Sequence, residues 1–285
     1  MPQDKVSPPT ITREDIHTIS DDSFTDRNVC LVTGGGSGIG QATALAAAGN
    51  GLTVAITDID ESGLEETVAR GEELGLEGKI VPIVGDLTVD DDIERMVAEA
   101  AELGDLKYLA NIAGMQHIDS IEEFPMETYD MLHEIMLRAP LYLSKLCMPH
   151  FRDTQNGQGC VGNMASVHAH YVTSDKVAYN VSKFGLRGLT QSIAAEGNGK
   201  IRSFSVSTGY VKTPLVTAQL EDTAEQRGIS VQEVIEDVMV GQSRVKEMME
   251  PIDVGNLFVL GFSDLGRHLD GGDLLFDGGM TLTYE

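Results

Sequence analysis

The sequence predicts an α/β fold, a single doubly wound parallel sheet with helices on both faces. Three observations predict it. Short apolar runs recur along the 285 residues, amphipathic helical patterns fall between them, and a glycine-rich turn follows the first run. Strand candidates are VCLVT (29–33), LTVAIT (52–57), KIVPIV (79–84), LKYLANI (106–112), CVGNMAS (160–166), IRSFSV (201–206) and DLLF (273–276). Helical patterns lie at 38–49, 61–74, 89–103, 126–152, 175–196 and 252–262. Right-handed crossovers between parallel strands leave few topologies, and the doubly wound sheet is favoured.

Two segments stand apart from this alternation. Residues 1–27 are polar, proline-bearing and aperiodic, and are expected as an extension outside the core. Residues 28–285 are then one domain. The helical stretch at about 214–249 has no strand partner, and is expected to be a mobile flap over a site.

Composition narrows the function classes. The chain is 41% hydrophobic with no Trp and 5% aromatic residues, so its core must be packed with aliphatics and Ala. No apolar run reaches the roughly 18–20 residues of a membrane helix. The N-terminus lacks an apolar secretory segment, so the expectation is a cytoplasmic protein. There are 45 acids against 20 bases, a formal net charge of −25, spread along the helical faces. Such a surface repels nucleic acid and anionic membranes. Adaptation to high salt is one cause consistent with it, because the Debye length there falls to about 3 Å. Cys30, Cys147 and Cys160 have no metal-ligand spacing, and no metal site is expected.

The first strand runs into Thr33-Gly34-Gly35-Gly36-Ser37-Gly38-Ile39-Gly40 and then a helix. Glycines let the backbone turn tightly and approach a pyrophosphate at the helix N-terminus, where unpaired N–H groups favour an anion. Asp58 ends the second strand, where an acid accepts hydrogen bonds from ribose hydroxyls and repels a 2′-phosphate, which points to NAD. Tyr179 and Lys183 are four apart on a predicted helix, hence on one face, and Ser166 lies 13 residues before Tyr179 at the end of the fifth strand.

The TGxxxGxG turn, with this Ser, Tyr and Lys at these spacings, resembles the short-chain dehydrogenase/reductase family over about 29–280. The resemblance implies a Rossmann-type domain and a hydride-transferring enzyme, with Ser166, Tyr179 and Lys183 catalytic. It also implies cofactor contacts from Gly34, Ser37, Gly38, Ile39, Gly40, Asp58, Asp86, Leu87, Asn111, Ala113, Gly114, Tyr179, Lys183, Gly209 and Val211. A carbinol must lose a proton as hydride leaves. A tyrosine is a base near neutrality only when cations stabilise its phenolate, the role expected of Lys183 and the oxidised nicotinamide. Ser166 would donate to the oxygen on which charge develops. Two positions depart from the family pattern. Its fourth residue, an Asn on the helix before the fifth strand, falls on Met136, and Thr208-Gly209 replaces Pro-Gly. His133, three residues before Met136, is the nearest polar substitute.

The segments 112–118, 164–190 and 209–220 resemble bacterial D-3-hydroxybutyrate dehydrogenases. By that resemblance Gln116, Ser166, His168, Lys176, Tyr179 and Gln219 are expected at the substrate. A short anionic hydroxy acid offers little apolar area, so charge-assisted bonds to its carboxylate must supply affinity. The resemblance also implies a homotetramer built through 126–152 and 175–196. Two alternatives stay open: another short-chain enzyme such as a 3-oxoacyl reductase, and a nucleotide-binding sensor with weakened catalysis.

Overall fold

Alternate residues of a strand face opposite sides, so a strand that is apolar throughout must be covered on both. The first run is of this kind, and the structure buries all of it after Asn28. The structure, a computed structural model, describes residues 8, 10–218 and 220–282. Seven strands form one parallel sheet: β1 (Asn28–Thr33), β2 (Thr53–Asp58), β3 (Ile80–Val84), β4 (Asp105–Asn111), β5 (Gly159–Met164), β6 (Ile201–Thr208) and β7 (Asp273–Phe276). Their order is β3-β2-β1-β4-β5-β6-β7, the doubly wound arrangement expected.

Five expected helices form close to their predicted bounds: α1 (Gly38–Gly49), α2 (Glu61–Glu73), α3 (Asp90–Glu102), α6 (Val177–Gly197) and α10 (Pro251–Phe262). Cys30 and Val32 of β1 face the layer containing α1 and α10, where the alanines of α1 let the two helices lie close. Val29 and Leu31 face α3, α6 and a further helix that carries Leu143, Cys147 and Phe151. Asp90, Asp91 and Asp92 open α3, where carboxylates complement the helix dipole. The three cysteines are buried and reduced, and burial pushes all their thiols up.

The expected helix at 126–152 is instead three pieces. These are α4 (Met126–His133), a π-helical turn (Glu134–Arg138) and α5 (Ala139–Asp153). The cause is in the sequence: Pro140 has no N–H for the carbonyl of Met136, so the i→i−4 ladder slips by a residue ahead of it.

The N-terminal segment differs from expectation. Ile16 and Phe24 are buried in the core layer of α1 and α10 rather than lying outside it. Asn50 ties the segment down, accepting from Ile19 N at 2.7 Å and donating to His17 O at 2.9 Å. Asn256 does the same, accepting from His17 N at 3.0 Å and donating to Asp15 O at 2.9 Å. Two isolated apolar residues carry no period, so pattern alone does not reveal them.

Within the stretch 214–249 the described residues are helical only in part, with α7 (Pro214–Thr217), α8 (Leu220–Arg227), α9 (Val231–Glu233) and a second π turn (Val234–Met239), and 240–249 are irregular. It has an apolar cluster of its own, centred on Leu220, Ala224, Val234, Ile235 and Met239, against which Tyr210 packs. Among the described residues no helix is long and apolar enough to cross a membrane.

Candidate active site

The strand order reverses between β1 and β4, and a doubly wound sheet opens a crevice at such a point, beyond the carboxyl ends of its strands. A cleft of about 610 Å³ lies there. Thr33 joins its two sides, its hydroxyl accepting from Ile112 N at 2.9 Å and Ala113 N at 3.1 Å. One wall is the glycine turn. Gly38 has φ +53°, and a Cβ on Gly40 would sit 1.9 Å from Gly34 O, so the turn closes only with glycine there. Ser37 precedes α1 and makes no side-chain cap, leaving its hydroxyl and the helix N–H groups facing the cleft. Asp58 stands at the rim of the same wall. Its Oδ2 accepts from Gly36 N at 3.1 Å and its Oδ1 from Asp60 N at 3.1 Å.

Of the expected cofactor contacts, all but Asn111 line this cleft, including Asp86, Leu87, Gly114, Gly209 and Val211. Asn111 lies behind it. Its amide donates to Asn163 Oδ1 at 2.9 Å, Asn163 donates to Thr190 Oγ1 at 2.9 Å, and Asn111 Oδ1 is buried without a partner. Thr208 is buried at the end of β6, where the proline of the family pattern is absent. The glycine cradle, the open helix N-terminus and the rim carboxylate together fit a dinucleotide.

Ser166, Tyr179 and Lys183 converge on the same cleft. Ser166 lies two residues past β5 and caps a 3₁₀ turn, accepting from His168 N at 3.2 Å. Tyr179 and Lys183 share a face of α6, with Lys183 Nζ 5.3 Å from the Tyr179 ring centroid. Lys183 is buried and donates to Met164 O at 2.7 Å, and burial pulls its ammonium down to about 8. Tyr179 is shifted upward by burial, partly offset by its hydrogen bond with Ser166. The phenol is therefore the protonated acid in the protein alone.

His168 is buried beside this trio, its Nδ1 3.3 Å from Ser166 Oγ and its Nε2 3.0 Å from Thr173 Oγ1. Its ring stands edge-on to Tyr179 at 5.5 Å. Burial, then the charges of Lys176 and Lys183, pull it down to about 4, so it is neutral near pH 7. Lys176 caps α6. Asp175 before it takes φ +65°, a conformation that aspartate tolerates better than most residues, and Asp119 N bonds to Asp175 O at 2.9 Å. That bridge locks the start of α6 to the chain after β4. Gln116 lies on the same stretch, with its Nε2 buried and unpartnered. Gln219 lies outside the described residues. Gln116, His168 and Lys176 are not part of the cofactor cleft wall, and of the three His168 stands directly beside Ser166 and Tyr179.

Met136 sits in the π turn, fully buried among Phe124, Leu132 and Ala178 with Tyr179 against them. His133 stacks on Tyr129 at 4.3 Å and does not line the cleft. Thr173, which meets His168, and Asn163, which meets Asn111, carry no signal in the sequence that marks them as part of the site.

The sequence model of a family described as enoyl-(acyl carrier protein) reductase matches residues 34–281. The chain belongs to the short-chain dehydrogenase/reductase family. It is 31% identical to the D-beta-hydroxybutyrate dehydrogenase of Rhizobium meliloti, covering 88% of this chain and 97% of that one. It is 29% identical to a 3-oxoacyl-(acyl-carrier-protein) reductase of Thermotoga maritima, covering 89% and 98%. Among solved structures, levodione reductase superposes with a TM-score of 0.84 at 27% identity, over 92% of this chain and all of that one. The protein is thus an oxidoreductase of a family that uses nicotinamide cofactors.

Proposed function

We propose that the protein oxidises a small anionic hydroxy acid, D-3-hydroxybutyrate, to acetoacetate with NAD. The observation that carries this reading is the placement of His168 beside Ser166 and Tyr179, with Lys176 at the N-cap of the helix that bears Tyr179 and Lys183. A cation held there pairs with the carboxylate while the carbinol reaches the tyrosine. The relative from Rhizobium meliloti supports the same substrate.

The chain's own groups divide the work. Lys176 and His168 orient the acid, with Gln116 and Gln219 as further donors. Ser166 donates to the carbinol oxygen, and Tyr179, as phenolate, takes its proton. Lys183 stabilises that phenolate and is one turn away on the same helix. A nicotinamide cofactor held by the glycine turn and the cleft wall would supply the hydride acceptor for the carbinol carbon. Asp58 favours NAD over NADP because a 2′-phosphate would meet its carboxylate.

Reduction of NAD on adding D-3-hydroxybutyrate tests this directly. Tyr179→Phe should still bind NADH and lose all but a few per cent of turnover. Reduction of an acetoacetyl thioester by NADPH, without activity on the hydroxy acid, would favour the 3-oxoacyl reductase reading that the Thermotoga maritima relative suggests. We also infer a cytoplasmic homotetramer. Leu141 on α5 and Val181 and Phe184 on α6 leave apolar surface that copies of the chain would cover. Light scattering should give four chains per particle.

A further inference from the structure

We propose that Thr173 is a positioning residue for Ser166. Its hydroxyl donates to His168 Nε2, which puts the ring's one proton on Nδ1 and leaves the serine only a donor's role toward the substrate oxygen. The proposal rests on the reading in which Ser166 serves the carbinol, and it holds for whichever alcohol is bound.

The geometry is a chain of direct contacts. Ser166 Oγ accepts from His168 N at 3.2 Å and stands 3.3 Å from His168 Nδ1. On the far side of the ring, His168 Nε2 meets Thr173 Oγ1 at 3.0 Å. The ring is buried, packed edge-on to Tyr179 and tilted against Tyr171, each at 5.5 Å, so it is held facing both contacts. Thr173 is held in turn. Its carbonyl accepts from Asn180 Nδ2 at 2.9 Å, and Asn180 is the residue after Tyr179 on α6. Arg187, two turns further along α6, donates to Ala169 O at 3.0 Å. The loop carrying His168 and Thr173 is thus fastened to the helix that bears Tyr179 and Lys183. Thr173 itself is exposed, so core packing does not account for a hydroxyl set against a buried ring.

Counting protons gives these contacts a direction. A serine hydroxyl has one proton to give and two lone pairs to fill. The His168 N–H fills one of the pairs. The ring is neutral near pH 7, so a single one of its nitrogens carries a proton. With the proton on Nε2, the bare Nδ1 would accept from Ser166 and draw its O–H away from the cleft. With the proton on Nδ1, the second lone pair is filled as well, and the serine proton is left for an oxygen in the cleft. That arrangement meets developing charge with a donor already in place. It leaves Nε2 bare, and the Thr173 hydroxyl is the group placed to donate there. Both ring nitrogens are then occupied, and His168 acts on the substrate through Ser166.

The test measures turnover of D-3-hydroxybutyrate and of 2-butanol, a secondary alcohol without the carboxylate, with NAD. The variants are Thr173→Val, Thr173→Ser and Ser166→Ala. Thr173→Val keeps the shape and removes the donor. It should lower kcat on both alcohols by about tenfold or more, because the serine proton turns away from an oxygen common to both. KM for NAD should stay within about twofold of the parent, and Thr173→Ser should recover most of kcat. Nitrogen NMR of protein labelled in its histidine rings reads the proton without activity, with the His168 signals assigned by their loss in His168→Gln. The proton should sit on Nδ1 in the parent and on Nε2 in Thr173→Val. A parent ring protonated on Nε2 overturns the proposal. So does parental kcat in Thr173→Val beside an inactive Ser166→Ala, a result that leaves the serine's role standing. If Thr173→Val raises only the KM for the hydroxy acid, His168 serves the carboxylate and the proposal fails. Parental turnover in Ser166→Ala removes the serine reading and this proposal with it.

Discussion

Ser166 and His168 hold each other at the catalytic end of the cleft. The serine hydroxyl accepts from His168 N at 3.2 Å and lies 3.3 Å from His168 Nδ1. The histidine is thereby fixed from both sides, since its Nε2 meets Thr173 Oγ1 at 3.0 Å. It works as a neutral hydrogen-bonding group, because burial and the nearby lysines hold it down to about 4. The sign of its effect on stability follows. The unfolded chain takes up the proton near 6.5, the folded chain only near 4, so stability is lost as pH falls through that window. We expect the Tm of the parent to fall faster than that of His168→Gln between pH 6.5 and 4. The difference should be on the order of 2–3 kcal/mol. Parallel melting curves would refute a buried neutral histidine.

Coenzyme choice should follow Asp58. Its two oxygens already accept backbone N–H groups from Gly36 and Asp60, which fixes the carboxylate at the rim. A 2′-phosphate would approach that fixed charge and be repelled. The parent should use NAD at least about tenfold better than NADP, and Asp58→Ala should narrow the gap. Equal kcat/KM for the two coenzymes in the parent would remove Asp58 from this role.

The pH profile should separate Lys176 from Lys183. Both are pulled down to about 8, Lys176 by burial and then Arg227, Lys183 by burial alone. Of the two lysines only Lys176 is proposed to meet the carboxylate, and only its charged form pairs with it. As pH rises through about 8 the charge is lost, so kcat/KM for the hydroxy acid should fall relative to that for 2-butanol. In Lys176→Arg the ratio should stay flat, since arginine keeps its proton to about pH 12 or higher. A flat ratio in the parent would place the carboxylate elsewhere.

The sheet was legible because seven apolar runs repeat with helical patterns between them, and the glycine turn because only glycine fits Gly38 and Gly40. The convergence of Ser166, Tyr179 and Lys183 was legible through the family resemblance, which joins a serine past a strand end to a tyrosine and lysine on one helix face. What stayed hidden depends on contacts far apart in the chain. Asn111 meets Asn163 and then Thr190, and no local pattern marks that path. Ile16 and Phe24 enter the core as single residues without a period. The π turn just before Pro140 was not legible either, since proline alone does not mark such a break: α5 runs on through Pro149.

Pro140 bears on Met136, where the family pattern has an asparagine. Met136 is fully buried among Phe124, Leu132 and Ala178, next to Tyr179, so its thioether acts as apolar packing and relays no proton. Its backbone is another matter. In a continuous helix the carbonyl of Met136 would accept from residue 140, and Pro140 has nothing to donate. The Met136 carbonyl thus lacks its α-helical donor, at the position from which the family's relay to solvent is expected to start. We expect the enzyme to be active as it stands, with proton transfer from Lys183 to solvent passing that carbonyl. Met136→Asn should change turnover by less than about tenfold. It should also lower stability by about 1–3 kcal/mol, because it buries an amide among apolar side chains. Pro140→Ala is the sharper variant, since it restores an N–H for the Met136 carbonyl. It should lower kcat and shift its pH dependence while leaving NADH affinity unchanged. His133→Ala should have no comparable effect, because that ring stacks on Tyr129 away from the cleft. If Pro140→Ala matches the parent across pH, the carbonyl has no part in the relay. If the parent is inactive and Met136→Asn restores turnover, catalysis depends on the missing asparagine, and the protein binds nucleotide as a sensor.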